Sequence, residues 1–135
     1  MAVKELNCIV ATPEETALES SADFVVLPLH DGEIGIAVGR APLVGRLGFG
    51  EMRLHIANRI TRYYLDGGFV QVVNNEISVM TNQAVPVRGI DLLTMREQLE
   101  QARTLPGTTA EQRRERERKT ARARAQIQLA ERQRT

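Results

Sequence analysis

Short apolar runs separated by turn-forming residues fill the chain up to about residue 86. The run "LNCIVA" precedes "TPEE", "FVVLPL" precedes "HDGE", "RYYL" precedes "DGG", and "FVQVV" precedes "NNE". Runs of this length, rich in Val and Ile, indicate strands. Asp66-Gly67 and Asn74-Asn75 tolerate positive φ, so each pair is expected to close a hairpin. Many short strands at this spacing predict a β-sandwich or a barrel.

The apolar period becomes helical after residue 90. Asp91 is a candidate N-cap, and "LPGTT" at 105–109 contains the proline and glycine that would end a first helix. Thr109 with Gln112, or Thr108 with Glu111, has the capping-box spacing that would begin a second helix. The short connection predicts an antiparallel helical hairpin. The first helix is expected to present one apolar face, formed by Leu92, Met95, Leu99 and Ala102.

The second predicted helix has very little to bury. No apolar residue lies between Glu111 and Thr120, and the pairs Arg113–Glu117 and Glu115–Lys119 are expected to support this stretch. Its apolar stripe is thin and comes late, at Ala123, Ile127 and Ala130. A helix of this kind is expected to pack weakly on its own protein and to act as a mobile arm that seeks a partner.

Charge is distributed unevenly along the chain. Residues 111–135 hold nine Arg or Lys against four Glu, a net of +5, so the whole-chain charge of +1 leaves −4 for residues 1–110. The basic arm could contact nucleic acid, which makes a free-standing sandwich with a nucleic-acid-binding arm the alternative function. Its arginines are interleaved with glutamates and accompanied by no aromatic side chains, so this alternative is disfavoured.

Patterns that carry catalytic chemistry are missing from the sequence. His30 and His55 lie far apart, and Cys8 is the only cysteine, so no zinc pattern forms and no internal disulfide is possible. We expect Cys8 to be a small buried residue of a strand, in a protein of a reducing, cytosolic compartment. The glycines of "GRLGFG" (45–50) lack the dinucleotide-binding spacing and are interpreted as turn glycines. We therefore predict a binding or regulatory module without metal or cofactor, not an enzyme.

Two stretches are similar to a known family. "DGEIGIAVGRAPL" (31–43) resembles the signature G-E-[LI]-G-I-x-P-G-H-A-P-L of the epsilon subunits of bacterial F-type ATP synthase. "YYLDGGFVQVVNNEISVMTNQAV" (63–85) is similar to that family's block S-G-G-F-V-E-V-x-x-N-x-V-T-V-L-x-x-x-A. The motif-bearing similarity runs from about residue 3 to residue 90, whereas the helical remainder agrees in architecture more than in sequence.

The resemblance implies a fold and a function. The fold is a ten-stranded β-sandwich at residues 1–87, which docks on the gamma subunit and the c-ring, followed by a regulatory helical hairpin at 88–135. The function is that of a non-catalytic rotor subunit in the central stalk, which couples the catalytic head to the c-ring during proton-driven ATP synthesis. Its helices would reach the beta and alpha subunits and inhibit ATP hydrolysis. The location would be peripheral, at the cytoplasmic face of the bacterial inner membrane.

The resemblance also implies site residues. The c-ring contact would fall on Gly32, Glu33, Gly39, Arg40 and Pro42. Val38 replaces the family's usual proline and Arg40 its usual histidine, so this contact is expected to be less sensitive to pH and to favour an acidic partner. The inhibitory contact to beta would use Arg113, Arg114, Arg116, Arg118, Lys119 and Arg122. A degenerate ATP site would involve Leu92, Arg96 and Arg103, and its departures from the family motif argue against tight ATP binding.

Overall fold

The computed structural model describes residues 5–134, which form two compact units that divide between Pro86 and Val87. The predicted boundary lay one residue later. The first unit contains eight strands: β1 Leu6–Ala11, β2 Thr16–Ala22, β3 Phe24–Leu29, β4 Gly32–Ala37, β5 Leu43–Ile56, β6 Arg59–Val73, β7 Glu76–Met80 and β8 Ala84–Pro86.

The strands form one continuously hydrogen-bonded sheet in the order β2-β1-β7-β6-β5-β3-β4, with β8 paired to β6. Neighbouring strands are antiparallel, except that β1 runs parallel to β7. Strand β4, which carries the predicted docking motif, lies at one edge of the sheet. The prediction of a β-sandwich followed by two helices is confirmed at this level.

Two long strands hold the sandwich together. β5 and β6 keep one register from the pair Leu43–Val72 to the pair Ile56–Arg59. One half of β6 pairs with β8 and the other half with β7, and the exchange of partner takes place at Asp66–Gly68. β5 and β6 therefore belong to both layers of the sandwich.

The expected number of strands and two of the expected turns are wrong. The structure has eight strands, not ten, because β5 and β6 run without interruption through "GRLGFG" and "DGG", where turns were expected. A Cβ on Gly50 would lie 2.8 Å from Pro28 Cβ, and one on Gly68 would overlap the carbonyl oxygen of Met80. These glycines permit close approach of a neighbouring chain segment inside the sheet, which is the other common role of glycine in strands.

The main hydrophobic cluster of the first unit consists of aliphatic and sulfur-containing side chains, and Tyr64 is fully buried as well. Cys8 is fully buried in β1, as expected, and burial raises the pKa of its thiol to about 12. Ile77 and Val79 are buried while Ser78 is exposed, which confirms the alternation predicted for β7. The cluster comprises Leu6, Cys8, Val10, Ala22, Val25, Leu27, Ile36, Leu47, Met52, Leu54, Leu65, Val70, Val72, Ile77 and Val79.

The second unit begins with a 3-10 turn, Val87–Gly89, followed by α1, Leu92–Arg103, and α2, Ala110–Arg134. Asp91 caps α1 by accepting from the backbone N–H of Leu93 at 3.0 Å. Thr109 and Gln112 form the predicted capping box at the start of α2, with reciprocal distances of 3.0 and 3.1 Å. The two helices pack against each other, so the helical hairpin is confirmed in outline.

The faces of both helices follow the predicted pattern. On α1, Leu92 and Ala102 are buried and Met95 and Leu99 half-buried. On α2, Ala123 and Ala130 are buried and Ile127 is half-buried, while the stretch before Ala123 contains no buried residue. Two positions that the predicted stripe omitted, Gln126 and Leu129, are also buried.

Candidate docking surface

The edge strand β4 presents the first half of the predicted docking motif. Among the described strands it pairs only with β3, from Leu29–Gly32 to Phe24–Ala37, and most of its residues are exposed. A Cβ on Gly35 would lie 2.5 Å from Cζ of Phe24, so a side chain at this position would require the ring to shift. The glycine pattern of the motif therefore reflects packing under the strand as well as turn geometry.

Glu33 does not stand alone on this surface. Arg53 Nη1 lies 2.9 Å from Glu33 Oε2 and 3.1 Å from Glu51 Oε1, and Arg62 Nη1 also lies 3.1 Å from Glu51 Oε1. The hydrogen bond to Glu33 is the main cause that raises the pKa of Arg53. Two carboxylates and two guanidiniums thus form a row across the sheet from β4 to β6. The charge of Glu33 is largely balanced before any partner arrives.

Arg40 lies in the exposed loop 38–42 that joins β4 to β5. Its backbone N–H donates to Ala37 O at 3.2 Å, and Gly39 beside it has a φ of +88°, a value that favours glycine. The N–H of Gly39 donates to Asn75 Oδ1 at 2.8 Å. The loop therefore forms a tight turn that displays the Arg40 guanidinium.

The structure does not bring Glu33 and Arg40 together. They flank opposite ends of β4, and the strand between Glu33 and Ala37 alone spans about 13 Å. Gly32 belongs to the Glu33 end, whereas Gly39 and Pro42 belong to the Arg40 end. A partner that contacts both groups has to lie along the edge of the sheet.

An exposed apolar surface begins just after Pro42. Val44, Phe69 and Met80 are 77%, 57% and 62% exposed. Phe69 pairs with Met80 across β6 and β7 and with Arg46 across β6 and β5. Phe69, Met80 and Arg46 also line a cavity of about 540 Å³, together with the segment from Ala11 to Pro13. Large exposed side chains grouped in this way are typical of a protein interface.

The six predicted inhibitory residues fall into two groups on α2. Four have contacts within the protein, whereas Arg114 and Arg118 are exposed and make no hydrogen bond or ion pair among the residues that the structure describes. Arg113 donates to Gly107 O and Thr108 O at 3.1 and 3.2 Å, and the guanidinium of Arg116 lies close to Gly107. Lys119 lies 3.4 Å from Glu115, and Arg122 also has a partner. The predicted Glu115–Lys119 pair is confirmed. The predicted Arg113–Glu117 pair is not formed, because the Arg113 side chain donates to the interhelical loop.

The residues of the degenerate ATP site are also engaged. Leu92 is buried, Arg96 Nη2 lies 3.0 Å from Glu131 Oε1, and Arg103 Nη1 lies 2.8 Å from Glu100 Oε1. Both guanidiniums already have a carboxylate partner, which a phosphate group would have to displace. This arrangement agrees with the expectation of weak ATP binding and leaves it untested.

Sequence reasoning missed Arg53 and Asn75. Arg53 reaches a residue 20 positions away and Asn75 one 36 positions away. Asn75 was expected in a hairpin turn, which it forms, with a φ of +65°. Nothing in a single sequence indicated that its side chain reaches loop 38–42.

Known proteins resemble this chain in sequence and in fold. Residues 5–87 match the family model described as ATP synthase, Delta/Epsilon chain, beta-sandwich domain. An ATP synthase epsilon chain of Rhodopirellula baltica is 45% identical over 107 residues, which cover 79% of this chain and 84% of that protein.

Two solved structures share the fold. One is a chain of the Euglena gracilis mitochondrial ATP synthase structure containing OSCP, F1 and the c-ring, with a TM-score of 0.80 at 20% identity over 93% of this chain and 81% of that chain. The other is a chain of the Tetrahymena thermophila mitochondrial ATP synthase central stalk and c-ring, with a TM-score of 0.69 at 13% identity over 96% and 99%. No helix among the described residues is long and apolar enough to cross a membrane.

Proposed function

The chain belongs to the ATP synthase delta/epsilon chain family, and on that premise we propose that it is a non-catalytic rotor subunit in the central stalk of an F-type ATP synthase. The family match over residues 5–87, together with the 45% identical epsilon chain, is the observation that carries this proposal. It gives no support to the alternative of a nucleic-acid-binding module. The subunit would couple the catalytic head to the c-ring during proton-driven ATP synthesis, peripheral to the cytoplasmic face of the bacterial inner membrane.

The c-ring is proposed to dock on the edge formed by β4 and loop 38–42. Glu33 is already paired with Arg53, so Arg40 is the charge that this edge offers to a partner. A guanidinium stays protonated throughout the physiological range and pairs well with carboxylates. We therefore expect an acidic group on the polar loops of the ring opposite Arg40, and an interaction that changes little with pH.

The gamma subunit is proposed to cover the apolar surface of Val44, Phe69 and Met80. Aromatic side chains and methionine are enriched in interface cores, and this surface continues directly from the docking loop. The apolar surface and loop 38–42 would therefore form one continuous interface. Gamma and the c-ring would then bind adjoining surfaces of the same sandwich.

The helical hairpin is proposed to inhibit ATP hydrolysis by contacting the beta and alpha subunits. Arg114 and Arg118 are one turn apart on α2, so their like charges repel each other. An acidic surface on beta would relieve that repulsion. Of the six predicted cations they are therefore the best placed to make the first contact, while the other four already have contacts within the protein.

Removing residues 91–135 tests the two halves of this proposal separately. The shortened chain is expected to assemble with the complex and to raise its ATPase activity. Arg40→Ala is the companion variant: it should weaken attachment to the ring while leaving hydrolysis by the detached head unchanged. Unchanged hydrolysis after the deletion would remove the inhibitory function and leave only coupling.

A further inference from the structure

The loop that displays Arg40 has few attachments of its own. Val38, Gly39, Arg40, Ala41 and Pro42 are all exposed. Within residues 5–134, the bond from Gly39 N–H to Asn75 Oδ1 at 2.8 Å is the only side-chain hydrogen bond to this loop. Val38 leaves its own φ free, as a proline would not. The shape of the loop therefore depends strongly on that one contact.

Asn75 itself is held firmly. It is the second residue of the two-residue turn between β6 and β7, where Asn74 and Asn75 have φ of +50° and +65°. Asparagine tolerates these values better than most residues. The carbonyl oxygen of Asn75 also accepts from the N–H of Asn7 on β1 at 2.9 Å. A fixed backbone on both sides leaves the side-chain amide aimed at Gly39.

We propose that Asn75 is a positioning residue for partner docking, because its side chain fixes the turn that displays Arg40 to the c-ring. This inference rests on the proposed function for the docking partner, but the fixing of the turn does not. The Asn75 side chain would act on the ring only through the loop, without touching the ring itself. Its loss should leave the sandwich folded and loosen one exposed turn.

The chain offers well-matched variants for a test. Asn75→Gly keeps a residue that accepts positive φ and removes the acceptor, so the hairpin turn survives without its bond to Gly39. Asn75→Asp keeps an acceptor oxygen at the same position. Asn74→Gly is the control, because Asn74 has the same backbone conformation and makes no hydrogen bond to the loop.

The first measurement is amide hydrogen exchange of Gly39 in the full chain, followed by NMR. Asn75→Gly should speed exchange about three- to tenfold, while Asn75→Asp and Asn74→Gly should leave it near the wild-type rate. The urea midpoint of each variant shows whether the fold is intact. Unchanged Gly39 exchange in a folded Asn75→Gly chain would overturn the inference.

The second measurement is binding of the soluble ATP synthase head, reconstituted with each variant chain, to membrane vesicles stripped of their own heads. Asn75→Gly should weaken binding in the same direction as Arg40→Ala, and Asn75→Asp should restore it. If Arg40→Ala weakens binding but Asn75→Gly does not, the docking role of Asn75 is refuted while the proposed function stands. If Arg40→Ala has no effect, the proposed ring contact fails, and Gly39 exchange alone then decides whether Asn75 fixes the turn.

Discussion

Arg53 on β5 holds the carboxylate of Glu33 on β4, with Nη1–Oε2 and Nη2–Oε1 distances of 2.9 and 3.4 Å, although β3 lies between the two strands. The same guanidinium donates to Glu51, whose side chain is only 7% exposed. One arginine thus serves a buried carboxylate and a carboxylate of the proposed docking edge. The stability of the sandwich and the charge of its edge are coupled at this residue.

Replacing Arg53 with methionine is expected to lower the free energy of unfolding of the sandwich by about 1–3 kcal/mol, because Glu51 would keep Arg62 as its only cation. The measurement is urea unfolding followed by tyrosine emission, since both tyrosines lie on β6. Arg59→Met is the control, because Arg59 is exposed and has no ion pair among the described residues; it should change stability by less than about 0.5 kcal/mol. Equal unfolding midpoints for the two variants would contradict this role of Arg53.

Replacing Gly68 with alanine is expected to abolish stable folding of the sandwich, with a loss above about 4 kcal/mol. Gly68 has a φ of +112°, and the added Cβ would overlap the backbone oxygen of Met80, which cannot rotate away as a side chain can. Gly39→Ala separates the two causes, because Gly39 also has positive φ but open space around its Cβ. That variant should lose only about 1–3 kcal/mol. Comparable losses in the two variants, measured by urea unfolding, would argue against steric exclusion at Gly68.

Cys8 predicts how stability changes in alkaline solution. Between the ordinary thiol pKa of 9.0 and the native value of about 12, the unfolded thiol has lost its proton and the native thiol keeps it. Since the unfolded state binds fewer protons there, the free energy of unfolding falls as the pH rises, by at most about 1.4 kcal/mol per pH unit. Below pH 9 the Cys8 thiol keeps its proton in both states, so it adds no pH dependence to the free energy of unfolding. The difference between wild type and Cys8→Ala isolates this contribution from other groups that titrate in the same range.

Arg114 and Arg118 predict the strength of inhibition. Replacing both with alanine should raise ATP hydrolysis by the assembled complex, because two exposed cations of α2 are lost while the contacts that hold the interhelical loop remain. The double lysine variant keeps the charge and should stay inhibited. If the complexes with the double alanine and the double lysine variants hydrolyse ATP at the same rate as the unaltered complex, neither arginine takes part in inhibition.

Because Arg96 and Arg103 each have a carboxylate partner, we expect ATP to bind weakly. Isothermal titration of the full chain should give no micromolar binding, because a phosphate would have to displace Glu131 and Glu100. Replacing both glutamates with glutamine frees the guanidiniums and should increase affinity for ATP. Micromolar binding by the unaltered chain would refute this explanation.

Local signals in the sequence were good guides to helix ends and to alternating strands. Asp91, Thr109 and Gln112 cap the helices as predicted, because capping depends on residues three or fewer positions apart. Turns were harder to predict, since a glycine serves equally well in a turn and at a close approach within a sheet. Gly50 and Gly68 belong to the second kind, and only the three-dimensional neighbours Pro28 and Met80 reveal it.

Some residues of the candidate site could be found from the sequence, whereas others could be found only from the fold. The family resemblance indicated Gly39 and Arg40, because the motif that includes them is a contiguous stretch of sequence. The partners that hold the site, Arg53 and Asn75, come from segments distant along the chain. A single sequence contains no record of which distant side chain reaches a given loop, so these two could be found only from the fold.

The long pairing of β5 with β6, which keeps one register along both strands, has a mechanical consequence. Because both strands pass through both layers, a twisting load applied to one layer reaches the other through continuous backbone and a long β-ladder. Hydrogen bonds of such a ladder share a load directed along the strands, whereas those of a short hairpin open one after another. The two layers of the sandwich are thus linked by covalent backbone as well as by side-chain packing, so they are expected to turn together under load.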